Sequence, residues 1–82
     1  MNIRWSPRAR RAWRALEAST RQRIVDALTR LAATGHGDVE RLKGEHPPTL
    51  RLRVGDYRVR FRIEGGEMLV LAVGHRREVY RR

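Results

Sequence analysis

Arg51 and Arg53, then Arg58, Arg60 and Arg62, occupy alternate positions on either side of Gly55-Asp56. Guanidinium groups bind phosphate through paired N–H donors and stack on nucleobases. Further along stand His75 and Tyr80. Histidine exchanges a proton near neutral pH, and a positive surrounding lowers the pKa of a nearby Tyr or His. The set suits a phosphodiester that carries its own nucleophile, as RNA does in its 2′-hydroxyl. Cleavage needs that hydroxyl activated, the phosphate charge neutralised and the leaving 5′ oxygen protonated. These are acid–base and electrostatic tasks that need no metal. Phosphate binding without chemistry is the simpler reading of the same residues, and residue types alone leave both open.

The arginines require a particular scaffold. Side chains of a strand alternate between faces, so residues 49–64, TLRLRVGDYRVRFRIE, read as two strands around a two-residue turn at Gly55-Asp56. A Gly-X pair suits a tight hairpin. Val54 then faces Tyr57, Arg53 faces Arg58, Leu52 faces Val59 and Arg51 faces Arg60. One face is apolar and the other is arginine. Like charges directly opposite one another are destabilising, and a local rule broken this consistently points to a functional surface.

The rest of the chain supplies a backing. Asn2 to Trp5 reads as a short strand. Ser6-Pro7 is a helix start, with Ser6 as N-cap, and Ala9, Ala12, Trp13 and Leu16 form an apolar stripe at helical spacing. Arg8, Arg10, Arg11 and Arg14 fill the remaining positions, and Trp13 is most simply core. A second helix is expected to begin at Ser19, with Gln22 completing a capping box, and to end at Gly35. Its stripe is Ile24, Val25, Leu28, Leu31 and Ala32. The segment from Gly35 to Pro48 is irregular, with Val39 and Leu42 as anchors and with Lys43 and His46 read as solvated. Gly65-Gly66 marks another tight turn. Residues 67–74, EMLVLAVG, are apolar on both faces, as a covered central strand should be. The expected fold is α+β: a short N-terminal strand, an αα-hairpin and a three-strand antiparallel meander, with the helices on one face and the arginine face open.

Composition narrows the partners. The chain has 82 residues, 19 of them basic and 9 acidic, for a net charge of +10. It is read as one domain over residues 1–82. Such an excess attracts nucleic acid or an acidic protein. Lys43 is the sole lysine, and cysteine is absent. His36, His46 and His75 lack metal-ligand spacing, so neither metal nor cofactor is expected. The N-terminus lacks the apolar core of a secretory signal, and no apolar run reaches the roughly 20 residues of a membrane helix. A soluble cytoplasmic protein is the expectation.

The segments RLKG, LRLRVGDYRVRFRI and VGHRREVYRR together resemble the RelE/ParE superfamily of toxins from bacterial type II toxin–antitoxin modules, nearly end to end. The resemblance implies the fold above, a cognate antitoxin that covers the basic face in a toxin–antitoxin hetero-oligomer, and one of two activities. RelE-like members enter the ribosomal A site and cut the messenger RNA; ParE-like members inhibit DNA gyrase. Arg58, Arg76 and Tyr80 together favour the RelE branch. On that reading Arg58, Arg76, Tyr80 and His75 are catalytic. Arg51 and Arg53 hold RNA, with Arg60 and Lys43 as further basic contacts. Arg62 is left to general attraction or antitoxin contact. Lysines are frequent in the family where Arg51 and Arg53 stand here. Arginine is almost never deprotonated, so His75 or Tyr80 must take the proton.

Overall fold

The computed structural model describes residues 1–77. In chain order these form β1 (Ile3–Trp5), α1 (Pro7–Arg14), α2 (Ala18–Thr34), β2 (Val39–Arg41), β3 (Leu50–Val54), β4 (Tyr57–Glu64) and β5 (Glu67–His75). The five strands make one sheet in the order β1-β5-β4-β3-β2. β1 runs parallel to β5, and the other neighbours are antiparallel. The class is the α+β arrangement expected, with the helices on one face. The sheet gains one strand over that expectation, because β2 adds to the edge beside β3.

β2 has no apolar alternation, and all three of its residues are exposed. What makes it a strand is its partner: Val39, Glu40 and Arg41 pair with Leu52, Arg51 and Leu50. Strand formation here follows from cross-strand contacts rather than from local preference.

α1 starts as its sequence demands. Ser6 is extended (φ −66°, ψ 155°), its hydroxyl accepts the Ala9 N–H, and Pro7 follows at the first helical position. The same hydroxyl donates to the Leu71 carbonyl of β5 at 3.3 Å, and the Ser6 N–H donates to Val70 O at 2.9 Å. The N-cap of α2 lies two residues before the expected Ser19: it is Glu17, without a side-chain cap bond. The reason lies in the short connection from α1. The Leu16 N–H closes α1 by donating to Trp13 O, and the Arg21 guanidinium takes the Leu16 carbonyl. The helix start is thereby set at Glu17, and Gln22 donates to Asp26 instead of capping. A carboxylate at that end suits the helix dipole. Gly35 ends α2 in the left-handed conformation (φ 78°) and donates to Leu31 O.

The hairpin has the expected register, with Val54↔Tyr57, Arg53↔Arg58, Leu52↔Val59 and Arg51↔Arg60. Gly55 has φ 59°, as the first central residue of a type II′ turn requires. β4 and β5 pair from Glu64↔Glu67 to Tyr57↔His75, with one irregularity: Phe61 faces Val70 but Arg60 faces Ala72. Leu71 is the extra residue of a β-bulge. Beyond it the faces of β5 exchange, so Met68, Val70 and Val73 all enter the core while Gly74 lies beside Arg58.

The core between helices and sheet is Ala9, Ile24 and Leu28 against Leu52, Val54, Val59, Phe61, Met68, Val70 and Val73. Each fully buried aliphatic of this kind contributes about 1.5–3 kcal/mol. Trp13 is half-buried against it, with its indole N–H on Arg21 O. Among the described residues no helix is long and apolar enough to cross a membrane.

Gly55→Ala tests the turn. A Cβ there carries the positive-φ strain and lies 2.6 Å from Arg23 Nη2. The variant is expected to lose about 1–2 kcal/mol, read as a lowered urea midpoint at unchanged m-value.

Candidate nucleic-acid interface

The hairpin puts Arg51, Arg53, Arg58, Arg60 and Arg62 on the face turned away from the helices, as the alternation requires. That face is not open as expected. The segment between α2 and β3 lays three carboxylates along it. Glu40 pairs with Arg51, Glu45 with Arg60 at 3.2 Å, and Asp38 with Arg53 at 3.8 Å. β2 is the device that delivers Glu40, since it stands opposite Arg51 in the β2–β3 register. Asp38 is held by its own carbonyl, which accepts the Arg53 N–H at 2.9 Å. Sequence reasoning passed over these carboxylates. The legible signal was their density: three of the chain's 9 acidic residues fall within residues 38–45, next to its most basic stretch.

The arginines differ in what remains available. The Arg53 side chain is 62% exposed, against 15% for Arg51 and 18% for Arg60, so Arg53 is the one most ready to meet a ligand. The Arg60 Nε is buried with no acceptor. Arg62 donates weakly to Thr49 Oγ1 at 3.4 Å. Arg58 is buried, and its Nη1 donates to the carbonyls of Gly55 and Tyr57, each at 2.9 Å. Gly74, opposite Arg58 on β5, presents no side chain against it.

At the turn end the chemistry-bearing residues lie on two faces of the sheet, Arg53 and Arg58 on one and His75 on the other. His75 faces Tyr57 across β4–β5, with the rings edge to face at 5.7 Å. The Arg77 N–H donates to His75 Nδ1 at 3.3 Å, so a neutral ring in this arrangement carries its proton on Nε2. The exposed Arg76 donates its backbone N–H to Asp56 O at 2.8 Å, tying the start of the terminal segment to the hairpin turn. Arg53, Arg58, His75 and Arg76 thus share one end of the sheet. Arg51 and Arg60 form the next cross-strand pair inward. Lys43 is exposed in the loop after β2. Tyr80 lies outside the described residues. Among those residues no group of three His, Asp or Glu side chains could hold a metal ion.

The arrangement can bind a chain of phosphates along β3 and β4, with the exposed Arg76 at one end of it and the His75 imidazole at the same end on the opposite face. The carboxylates set the terms. A phosphate oxygen that reaches Arg51 or Arg60 competes with a carboxylate already there.

Glu45→Gln measures the strongest of these pairs, because both partners are largely sheltered. Removing the charge leaves Arg60 with a buried, poorly satisfied guanidinium, and about 1 kcal/mol of stability should be lost. Asp38→Asn, on a pair exposed on both sides, should cost less than half as much. Equal losses in parallel denaturation curves would contradict this ranking.

The comparisons with known proteins agree with this geometry. Residues 3–80 match the model of the family described as the ParE toxin of the type II toxin–antitoxin system parDE. Among solved structures, the chain is similar to one in the RelB–RelE antitoxin–toxin complex from Methanococcus jannaschii, with a TM-score of 0.77, 21% identity and 94% of each chain covered. It is also similar to the YoeB dimer from Staphylococcus aureus, with a TM-score of 0.75, 17% identity and coverage of 92% of this chain and 95% of that one. The intact Escherichia coli RelBE toxin–antitoxin complex aligns with a TM-score of 0.63 at 20% identity, over 90% of this chain and 94% of that one. No curated protein sequence matches significantly. With a family model spanning nearly all of its length and a two-helix, mixed-sheet fold shared with these structures, the chain belongs to the ParE toxin family of type II toxin–antitoxin systems, within the RelE/ParE superfamily.

Proposed function

We propose that this toxin acts on RNA, as a metal-independent endoribonuclease that cuts messenger RNA on the ribosome. The observation that carries the reading is the arginine face of β3 and β4, with Arg53 and Arg58 opposed at its turn end, the start of the terminal segment tied to that turn through Arg76, and His75 at the same end on the Tyr57 face. Phosphates would run along β3 and β4, held by Arg53 and, once their carboxylates are displaced, by Arg51 and Arg60. Lys43 adds charge at the margin. At the scissile phosphate the 2′ oxygen attacks phosphorus, its proton passes to His75 or Tyr80, and the 5′ oxygen leaves with a proton from the other group. The products are a 2′,3′-cyclic phosphate and a free 5′-hydroxyl. Arg76 neutralises the charge that builds on the phosphate. Arg58 holds the turn in shape through its two carbonyl bonds, and its Nε and Nη2 stay outside those bonds.

An antitoxin encoded beside the toxin is the expected protein partner, because the similar RelE and YoeB chains were solved in toxin–antitoxin complexes. A flexible acidic segment that orders on binding would suit a chain of net charge +10. The site of action would be the cytoplasm.

Gyrase inhibition is the second reading. It is favoured by the name of the matching family model and by the internal pairing of three sheet arginines, which reduces the basic surface free for RNA. Induced expression followed by mapping of mRNA 5′ ends separates the two. The ribonuclease reading expects codon-positioned cuts that fall at least tenfold in Arg76→Ala or Tyr80→Phe, an effect of ordinary size for lost charge stabilisation or proton transfer. It also expects unchanged plasmid supercoiling by gyrase. Intact messages with inhibited supercoiling would place the toxin in the gyrase-directed class.

A further inference from the structure

The arginines of α1 stand apart from those of the sheet. α1 contains no acidic residue, and among the described residues no ion pair involves Arg10, Arg11 or Arg14. Most of the sheet arginines, by contrast, have a carboxylate in front of them. The unneutralised positive charge therefore concentrates in the helix layer, on the far side of the sheet from the hairpin arginines.

Two aromatic rings sit in the same place. Trp5, from β1, and Trp13, from α1, meet with ring centroids 5.6 Å apart at 52°. Trp13 is covered by the Arg21 guanidinium at 5.7 Å and anchored through its indole N–H. Trp5 is half-buried and lines two adjoining clefts. One, of about 340 Å³, is formed with Pro7, Arg10, Arg11 and Arg14; the other, of about 200 Å³, with Arg10, Trp13, Arg14 and Val25. Arg10 and Arg14 are one helical turn apart and so share a stripe over these clefts.

We propose that this corner is a second nucleic-acid site, taking a single-stranded RNA segment with its phosphates on Arg10, Arg11 and Arg14 and one base against the Trp5 indole. Charge alone would admit any polyanion. The indole beside the guanidinium groups selects a ligand with a flat π-face between its charges, which is the arrangement by which single strands are held without reading their sequence. An acidic polypeptide offers carboxylates but no such face. The proposal extends the RNA reading given above to a second surface and depends on RNA being a ligand of this chain.

Trp5 and Trp13 are the chain's two tryptophans, so intrinsic emission excited at the red edge of the band reports this corner alone. Titrating a six-nucleotide oligoadenylate into the full chain at low salt should quench that emission. Arg10→Gln/Arg14→Gln should move the half-quench concentration up by about tenfold, with far-UV circular dichroism unchanged. A charge-matched pair elsewhere, Arg30→Gln/Arg41→Gln, should move it less than twofold. An oligonucleotide that gives no anisotropy change with the wild-type chain overturns the RNA reading as a whole. One that binds by anisotropy without quenching, or binds the Arg10→Gln/Arg14→Gln chain equally well, overturns this second site alone. Polyglutamate quenching at lower concentration than RNA would make the corner a polypeptide surface and overturn the proposal.

Discussion

Two arginine pairs face each other across β3 and β4, Arg53 with Arg58 and Arg51 with Arg60. Much else on that side of the molecule is a response to this arrangement. Directly opposed like charges oppose the very pairing that creates the surface. The fold answers by sending each guanidinium to a different acceptor. Arg58 turns to the carbonyls of the hairpin, and the other three meet Glu40, Glu45 and Asp38. The extra edge strand exists in this context. It is too short and too polar to bury anything, and its function is to bring a carboxylate opposite Arg51. A surface built in this way is still recognisably cationic, and its counter-charges belong to an edge strand and a loop rather than to the core.

Much of this was legible beforehand, and the reasons are local. The register of β3 and β4 follows from a Gly-X turn and strict alternation, so the facing pairs could be written down residue by residue. The α1 cap follows from Ser6-Pro7, and the end of α2 from Gly35. What stayed hidden was non-local. β2 has no pattern of its own and becomes a strand only beside Leu50, Arg51 and Leu52. The start of α2 is moved off Ser19 by Arg21, a residue that reads as a surface charge until the tight connection is seen. The faces of β5 were undecidable because the bulge at Leu71 changes them mid-strand. The candidate site divides in the same way. The arginine face was readable from spacing, whereas Arg76 was named only by the family resemblance. The carboxylates that screen the face came from a loop whose position depends on the sheet, and Tyr80 stands outside the described residues.

The two basic regions give the molecule a polarity that its net charge does not convey. On the sheet side, positive charge is tempered and ordered. On the helix side, it is untempered and set beside indole rings. Under the reading proposed above, the helix side holds a strand and the sheet side acts on it.

The bulge at Leu71 has a consequence for how such a chain tolerates change. One unpaired residue lets Val73 reach the core, places Gly74 beside Arg58, and offers the Leu71 carbonyl to the Ser6 hydroxyl that caps α1. Drawing that residue into the regular ladder would set Val73 opposite Arg58 and move His75 to the other side, whereas deleting it would keep those pairs and take away only the carbonyl that anchors the helix. Replacing it with another half-buried side chain would do none of these things. In this part of the chain the constraint lies in the backbone: composition can drift, and even loss of the extra residue leaves the partners of Val73, Gly74 and His75 in place.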